Sequence, residues 1–199
     1  MEVLIFATNN MNKVAEIRSL LNNTVKILSL KEAGINIDIP EPFDTIEENA
    51  IEKSKVIYEL TKIDCFAEDT GLQVKALNRE PGVKSARYAS DENHFLKKNA
   101  LEEKNIDKLL DKLRNITDRS AQFKTVISLM VRGKHDIFEG LCKGTIIAER
   151  RGTNGFGYDS VFIPDGSKKT FAEMDLWEKN VFSHRMKATE KLISHLNIF

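Results

Sequence analysis

The sequence has little that would place it in a specialised structural class. Its 199 residues include two cysteines, Cys65 and Cys142, which stand far apart and form no CxxC pair, so neither a zinc knuckle nor a disulfide scaffold is indicated. Thirty basic and thirty acidic side chains leave a formal net charge of zero, which excludes a general attraction to nucleic acid or anionic lipid. Any site for a polyanion must therefore be local.

Long hydrophobic runs are also missing. No stretch approaches the roughly 18 apolar residues of a membrane span, and the run from Val3 to Ala7 lacks the basic start and the length of a signal peptide. Two cysteines without a pairing pattern are typical of proteins from a reducing compartment, where disulfides are rare. We therefore expect a cytoplasmic protein with no membrane partner and no nucleic-acid partner.

Length and composition predict one globular unit. Hydrophobic residues make up 41% of the chain and charged residues 30%, as is usual for soluble domains. At about 100 to 200 residues per domain, we expect a single domain over residues 1–199. No repeat or low-complexity linker interrupts it.

The hydrophobic pattern alternates between strand and helix periods. We predict strands at residues 3–7, 25–30, 35–39, 65–67, 72–74, 123–131, 135–147 and 161–163. We predict helices over residues 14–21, 46–60, 92–113 and 183–196. Residues 68–71 are expected to form an acidic turn and residues 78–90 a loop. These elements predict an α/β fold with a mixed sheet and flanking helices, arranged as two lobes around a cleft.

The first polar cluster lies between a predicted strand and a predicted helix, and it comprises Thr8, Asn9, Asn10, Met11, Asn12 and Lys13. Free backbone N–H groups and the helix dipole attract phosphate at such a place, and Lys13 adds a full charge. The alternative is an ordinary turn with Asn10 or Asn12 as the helix cap and Lys13 in solvent. It is not a Walker loop, because the chain has no GxxxxGK[ST] motif.

Acidic residues form two groups, Glu41, Asp44, Glu47 and Glu48 in one and Glu68 and Asp69 in the other. Magnesium prefers oxygen ligands, and one or two carboxylates suffice when phosphates supply the rest. For Glu47 and Glu48 the simpler explanation is favourable charge at a helix start. For Asp69 the simpler explanation is a turn before Gly71, but its place at the end of an apolar strand favours a functional role.

The third cluster is a glycine-rich segment from Gly152 to Asp159. Its glycines permit close backbone approach, and a planar ligand stacked on Phe156 would explain an aromatic side chain among them. The alternative is a tight hairpin with Phe156 in the core. The glycine spacing does not match GxGxxG, so a dinucleotide site is not supported.

The fourth cluster combines Lys179 with the segment from Ser183 to Arg185. Ser183 can cap a helix, which places His184 and Arg185 in the first turn, where cations oppose the helix dipole. Binding of an anion or a keto oxygen would explain two such groups there.

Taken together, the four clusters resemble the Ham1-like inosine triphosphate pyrophosphatase family, which removes non-standard purine nucleoside triphosphates. The matching stretches are ATNNMNKVAEI (7–17), ENAIEKS (48–54), AEDTGLQV (67–74), PGVKSARY (81–88), GFGYDSVFIPDG (155–166), KTFAEM (169–174) and EKNVFSHRMKA (178–188). They follow the family's order from end to end, which is far more specific than any single motif.

The resemblance implies an elongated α/β fold whose two lobes enclose a nucleotide cleft, usually in a homodimer. It also implies magnesium-dependent hydrolysis of ITP, dITP and XTP to the nucleoside monophosphate and pyrophosphate, which cleanses the nucleotide pool.

By the same resemblance, Asp69 is the general base and a metal-associated carboxylate, and Glu41 is the second magnesium ligand. The segment 41–45 lacks the family's usual glycine, so Asp44 stays an alternative to Glu41. The expected substrate contacts are Thr8, Asn9, Asn10, Met11, Asn12, Lys13, Lys53, Thr70, Phe156, Gly157, Tyr158, Asp159, Lys179, His184 and Arg185.

Arg185 carries only hydrogen-bond donors, so it can bind the O6 keto group of hypoxanthine or xanthine but not the amino group of adenine. Guanine also has O6, so its rejection needs another cause. The chain departs from the family pattern at four positions, Glu68 for Asp, Thr70 for Ser, Asn154 for Gly and Ser160 for Pro.

Two other functions are compatible with parts of the pattern. A Maf-type nucleotide pyrophosphatase would share the architecture, but the SHR motif and the TNNMNK loop disfavour it. A catalytically silent nucleotide-binding module is disfavoured by the carboxylates, Asp69 among them, that stand beside basic groups.

Overall fold

Short apolar runs bounded by polar turns form the first strands. A computed structural model describes residues 3–20, 25–90 and 98–196 of the chain. Strand β1 (Val3–Phe6) pairs in parallel with β2 (Lys26–Ser29), so that Ile5 lies opposite Leu28. Parallel neighbours need a crossover connection, and helix α1 (Met11–Leu20) lies in it.

Four further strands extend the sheet, β3 (Cys65–Val74), β4 (Ser120–Val131), β5 (Lys134–Ile146) and β6 (Phe162–Pro164). Within the described residues the sheet has six strands in the order β2-β1-β3-β4-β5-β6. Because β1 and β3 are parallel while β5 and β6 are antiparallel, the sheet is mixed. The predicted α/β class with a mixed sheet is confirmed.

The remaining helices are α2 (Ile46–Thr61), α3 (Lys98–Lys112), α4 (Leu176–Phe182) and α5 (His184–His195). Helix α2 begins as predicted, because Thr45 accepts a hydrogen bond from the backbone N–H of Glu48 and donates one to its carboxylate. The predicted start of α3 at residue 92 lies outside the described residues. No helix in the described ranges has the length and apolarity needed to cross a bilayer.

The chain divides into two compact units. The first comprises Met1–Asp69, Thr125–Gly140 and His184–Phe199, and the second Thr70–Lys124 and Leu141–Ser183. In the first unit the Phe6 and Phe66 rings stack with centroids 4.4 Å apart. The first unit therefore has apolar packing of its own.

In the second unit a separate core surrounds three phenylalanine rings. Phe123 meets Phe162 edge-on at 4.8 Å, and Phe162 lies 5.2 Å from Phe171. These rings hold the segment that follows the glycine-rich loop.

Gly140 in β5 lets helix α5 approach the sheet closely within the first unit. A Cβ atom at this position would lie 2.0 Å from the carbonyl oxygen of His184, a distance that real contacts do not allow. The glycine therefore permits the close approach of the first turn of α5, which carries His184 and Arg185.

Two predicted elements are wrong. The acidic turn at residues 68–71 does not exist, because β3 runs unbroken from Cys65 to Val74; its carboxylates have cationic partners, which override their low strand propensity. Residues 35–39 do not form a strand. Their alternation is real, since Ile35, Ile37 and Ile39 are half-buried against an apolar cluster, but the segment joins no ladder of the described sheet.

Helix α4 and the short 3₁₀ turns at Lys75–Leu77 and Gly82–Arg87 were absent from the sequence prediction. Helix α4 has seven residues, and its Trp177 and Val181 are exposed. The sequence signal that could have been used is the capping box, in which Asp175 accepts a hydrogen bond from the backbone N–H of Glu178 and the Glu178 carboxylate accepts one from the N–H of Asp175.

Candidate active site

Residues 8–13 connect β1 to α1, where the sequence predicted a phosphate-binding segment. Thr8 accepts a hydrogen bond from the backbone N–H of Asn10, and the Asn10 side chain accepts one from the N–H of Asn12 (both 3.1 Å). Asn10 thus takes the cap position of α1. Lys13 is not left in solvent, because its side chain is 16% exposed and its Nζ lies 3.2 Å from Oε1 of Glu68.

Lys53 gathers two predicted site carboxylates of the first unit around one ammonium group. Its Nζ donates to Oδ1 of Asp69 at 2.8 Å, to Oε1 of Glu41 at 3.0 Å and to the carbonyl oxygen of Glu68 at 3.0 Å. The side chains of Lys53 and Asp69 are 8% and 9% exposed. A buried charge needs such partners, and the structure therefore brings Lys53, Asp69 and Glu41 together.

Burial and charge together shift the proton affinities of this group. Burial raises the pKa of Asp69 above its usual value, although the charges of Lys53 and Lys13 act against it. Burial alone would lower the pKa of Lys53, but the charges of Asp69 and Glu41 outweigh it and raise that pKa. Asp69 is thereby a more basic carboxylate than one in water, and Lys53 stays charged.

Glu68 is the second carboxylate of β3, with a side chain 0% exposed. The Arg185 guanidinium donates to it twice, from Nε to Oε2 and from Nη2 to Oε1, both at 2.7 Å. Nη1 of Arg185 donates to Glu16 on α1. Burial would lower the pKa of Arg185, but the two carboxylates outweigh it and raise that pKa, so the guanidinium is permanently charged.

The segment that carries Glu41 is fastened to α2 by a buried amide. Asn49 accepts a hydrogen bond from the backbone N–H of Phe43 at 3.0 Å and donates one to its carbonyl oxygen at 2.9 Å. Asp44 is exposed, whereas Glu41 reaches Lys53. Glu48 takes part in the helix cap, in line with the simpler of its two explanations.

The site residues of the second unit form a separate group. Asp159 accepts hydrogen bonds from the backbone N–H of Phe156 at 3.0 Å and from Nζ of Lys179 at 2.8 Å. The Lys179 ammonium lies 5.4 Å from the ring centroids of both Phe156 and Phe171, within cation–π range. Phe156 itself is half-buried, so it is not folded into the core.

Gly155 is required by this arrangement. It has φ +76°, and a Cβ atom there would lie 2.1 Å from Oδ2 of Asp159, so a side chain would break the turn. Tyr158 is buried, and its hydroxyl donates to the carbonyl oxygen of Ser85 at 3.0 Å. Asn154, a departure from the family pattern, donates to the carbonyl oxygen of Met174 at 3.0 Å and so ties the loop to that segment.

The remaining predicted contacts have clear positions. Gly157 donates its N–H to Glu102 at 3.4 Å. Thr70 is half-buried in β3, and His184 is 3% exposed at the first position of α5. Ser183 precedes it and ends α4.

Sequence reasoning assigned no role to Glu16 or Asn49, and it considered Glu68 only as a member of the acidic group with Asp69. Asn49 lies within the ENAIEKS stretch, and a polar residue at a core position of a helix is a signal that could have been used. Glu16 gives no such signal, because its partner Arg185 lies 169 residues further along the chain.

Two carboxylates of the first unit, Glu41 and Asp69, are candidates for holding a metal ion. No group of three or more His, Cys, Asp or Glu side chains within the described residues is arranged to hold a metal ion. Magnesium needs only one or two carboxylates when phosphates supply the other oxygens. Glu41 and Asp69 fit this requirement, because one oxygen of each contacts the same ammonium.

The family model described as the Ham1 family matches residues 4–195. The dITP/XTP pyrophosphatase of Flavobacterium johnsoniae is 52% identical over 193 residues, which cover 97% of this chain and 97% of that protein. The dITP/XTP pyrophosphatase of Clostridium perfringens is 42% identical over 206 residues, which cover 98% of this chain and 98% of that protein. Two solved structures are similar, Ham1 proteins of Coxiella burnetii (TM-score 0.87, 38% identity, 99% of both chains) and Staphylococcus aureus (0.85, 36%, 98% of both). With the motifs in order and the same fold throughout, this chain belongs to the Ham1 family.

Proposed function

We propose that this protein hydrolyses the non-standard purine nucleoside triphosphates dITP, ITP and XTP to the nucleoside monophosphate and pyrophosphate, and so cleanses the nucleotide pool. The observation that carries the proposal is the buried Asp69 carboxylate, held by Lys53 beside Glu41. The relatives named dITP/XTP pyrophosphatase support the choice of substrate.

The chemistry requires a base and a neutralised triphosphate. Asp69 accepts a proton from a water molecule whose oxygen bonds to the α-phosphorus. The bond from that phosphorus to the bridging oxygen breaks, and its electron pair leaves with pyrophosphate. Lys13 and Lys53 offset the charge on the phosphate oxygens, and no covalent intermediate is needed.

The proposal includes magnesium because the charged side chains of the first unit do not by themselves offset the charge of a triphosphate. In the first-unit cluster the cations are Lys13, Lys53 and Arg185, and the carboxylates are Glu16, Glu41, Glu68 and Asp69. The carboxylates outnumber the cations, so a triphosphate needs an additional cation. Glu41 and Asp69 would hold magnesium, which neutralises phosphate charge when bound.

For the base, we assign stacking to Phe156, whose ring is half-buried in the second unit. Thr70, Tyr158 and His184 remain proposed contacts of the substrate. Binding of O6 by Arg185 would require guanidinium N–H groups that point away from Glu68 and Glu16.

A homodimer is also part of the proposal, and the family resemblance supports it. Sedimentation equilibrium at micromolar concentration should then give twice the mass of one chain. A mass of one chain would remove the homodimer from the proposal without affecting the reaction.

The reaction is tested by incubating the protein with ITP and magnesium in water enriched in oxygen-18. We expect inosine monophosphate and pyrophosphate in equal amounts, with the heavy oxygen in the monophosphate because attack occurs at the α-phosphorus. Release of orthophosphate with a diphosphate nucleotide would contradict the proposal, and heavy oxygen in pyrophosphate would contradict the point of attack.

A further inference from the structure

The PGVKSARY stretch (81–88) contains none of the residues assigned to the reaction or to the substrate. Most of it is the 3₁₀ turn at Gly82–Arg87, which belongs to the second unit. Ser85 lies within this turn and is half-buried. Its hydroxyl group and its backbone carbonyl make hydrogen bonds to two separate parts of that unit.

The hydroxyl group of Ser85 fastens the turn to β3. It donates its single proton to the carbonyl oxygen of Gly82 at 2.6 Å, and its oxygen accepts a hydrogen bond from the backbone N–H of Leu72 at 2.9 Å. Leu72 is fully buried, so its N–H needs an acceptor inside the protein. Leu72 follows Thr70 by two residues in β3, and alternate residues of a strand share a face. Ser85 is therefore bonded to the strand beside a proposed substrate contact.

The backbone carbonyl of Ser85 holds the glycine-rich segment. It accepts a hydrogen bond from the hydroxyl group of Tyr158 at 3.0 Å. Tyr158 is 4% exposed, and a buried hydroxyl group without a partner is costly. The same turn carries Phe156, whose backbone N–H donates to the carboxylate of Asp159 at 3.0 Å. A displacement of Ser85 would therefore displace the turn that presents the Phe156 ring.

A buried amide on α3 fixes the far end of the PGVKSARY stretch. Asn105 is 3% exposed. Its side chain donates to the carbonyl oxygen of Ala86 at 3.1 Å and accepts from the backbone N–H of Ala89 at 2.7 Å. The stretch is thus bonded to α3 as well as to β3, which limits the positions open to Ser85.

We propose that Ser85 is a positioning residue for the purine base, because it holds the turn that carries Tyr158 and Phe156 at a fixed position on β3. Ser85 acts through these hydrogen bonds and not by touching the substrate. The inference rests on the proposed function, which assigns Thr70 and Phe156 to the substrate. It deepens that function by giving the PGVKSARY stretch a part in binding the base.

Steady-state kinetics with ITP separates binding of the purine from the hydrolytic step. Ser85→Ala removes the acceptor of the Leu72 N–H and should raise KM about tenfold, because a small misplacement of a binding group weakens binding. The value of kcat should change by less than about twofold, since the proposed general base Asp69 and the phosphate-binding lysines belong to the first unit. Ser85→Thr keeps the hydroxyl group and should stay within about twofold of the wild-type KM.

A probe without a purine provides the second measurement. Inorganic tripolyphosphate, titrated by calorimetry with magnesium present and below the unfolding temperature of every variant, should bind Ser85→Ala and the wild type equally. Ile146→Val is the control for lost stability, because it shortens a fully buried side chain of the core cluster that contains Leu72 and Tyr158. It should leave KM unchanged.

A second control addresses the loss of a serine hydroxyl group as such. Ser19 is exposed on α1. Its hydroxyl group makes the same local bond as that of Ser85, in this case to the carbonyl oxygen of Glu16 at 2.6 Å. Ser19→Ala should therefore leave both KM for ITP and tripolyphosphate binding unchanged.

Tyr158→Phe cuts the other end of the link. Phenylalanine keeps the ring but lacks the hydroxyl group that donates to the Ser85 carbonyl, so this variant should also raise KM for ITP. The double variant of Ser85→Ala and Tyr158→Phe should exceed the larger single effect by less than about twofold, because coupled residues are not additive.

The inference would be overturned by an unchanged KM in Ser85→Ala or by an equal loss of tripolyphosphate binding. Multiplied effects in the double variant, or the same rise of KM in Ile146→Val, would overturn it as well. Calorimetric titration with ITP keeps it separate from the proposed function. A wild-type protein that binds ITP without hydrolysing it would contradict the reaction alone, and the ITP affinities of wild type and Ser85→Ala would then decide the role of Ser85. Absence of ITP binding by the wild type would overturn both.

Discussion

The residues around Asp69 change the proton affinity of its carboxylate. An aspartate on the surface is a weak base, but burial raises the pKa of Asp69 while Lys53 prevents it from being an isolated charge. The same ammonium contacts Glu41. A general base works best when its pKa approaches the working pH, and this placement moves Asp69 in that direction.

The Asp69→Asn variant should lower kcat for ITP at least about a hundredfold, because it removes the proposed base and one charge without changing the shape of the side chain. Rapid-quench kinetics measures the rate, and thermal unfolding checks that the variant is folded. Asp38→Asn, at an exposed aspartate, serves as the control. An active Asp69→Asn enzyme would move the base to Glu68 or Glu41.

Glu41 and Asp44 can be separated by a pair of isosteric changes. Because only Glu41 of the two is seen in contact with Lys53, Glu41→Gln should raise the magnesium concentration for half-maximal rate at least about tenfold. Asp44→Asn should leave it unchanged. Magnesium titrations of both variants decide the matter, and the opposite pattern would make Asp44 the ligand.

At the scale of elements, α2 organises one side of the first-unit site. Its first turn is capped by Thr45, its buried Asn49 binds both backbone groups of Phe43, and further along it Lys53 reaches Asp69. One helix thus holds the segment that carries Glu41 and also supplies the ammonium that Glu41 contacts.

Asn49→Ala should release that segment. It leaves two backbone groups of Phe43 without their partner, which should lower the free energy of unfolding by about 2 to 4 kcal/mol. It should also raise the magnesium requirement, because Glu41 loses its support. Urea denaturation and magnesium titration measure the two effects. Asn36→Ala, at an exposed position, should stay within about 0.5 kcal/mol of wild type, and equal losses in both variants would contradict the role of Asn49.

At the scale of the whole molecule, equal numbers of acidic and basic residues are joined in many surface pairs. Hydrogen bonds from Arg18 and Ser29 lower the pKa of Glu32 to about 2 from 4.5. A hydrogen bond to Glu80 raises the pKa of Lys112 above 10.5. A lowered carboxyl pKa adds stability that is lost as the pH falls, and a raised lysine pKa adds stability that is lost as the pH rises.

The melting temperature should therefore be highest between about pH 5 and pH 10 and fall on both sides. Glu32 contributes to the acid side between its unfolded pKa of 4.5 and its folded pKa of about 2, by less than about 1 kcal/mol because solvent screens the pair. Calorimetry across the pH range measures the curve. Glu32→Gln should lower stability at pH 7 and have a much smaller effect at pH 2, where the stabilising charge is being lost. An equal loss at both values would exclude this linkage.

Elements with strong local patterns were predictable from the sequence alone. The apolar run of β1, the acidic first turn of α2 and the apolar stretch of β4 were all predictable, because hydrophobic period and charge at a helix start act over a few residues. The order of the motifs likewise indicated the family. The same motifs also indicated which segments of the chain carry the predicted site residues.

The pairing of the buried charges could not be predicted from the sequence and depends on the folded chain. From sequence, Glu68 and Asp69 indicated a turn, yet Arg185, Lys13 and Lys53 neutralise them within an unbroken strand. The partners of Arg185 lie 117 and 169 residues away in the chain. No local pattern encodes such contacts, because the free energy of a buried ion pair depends on the geometry and solvent exclusion that folding creates.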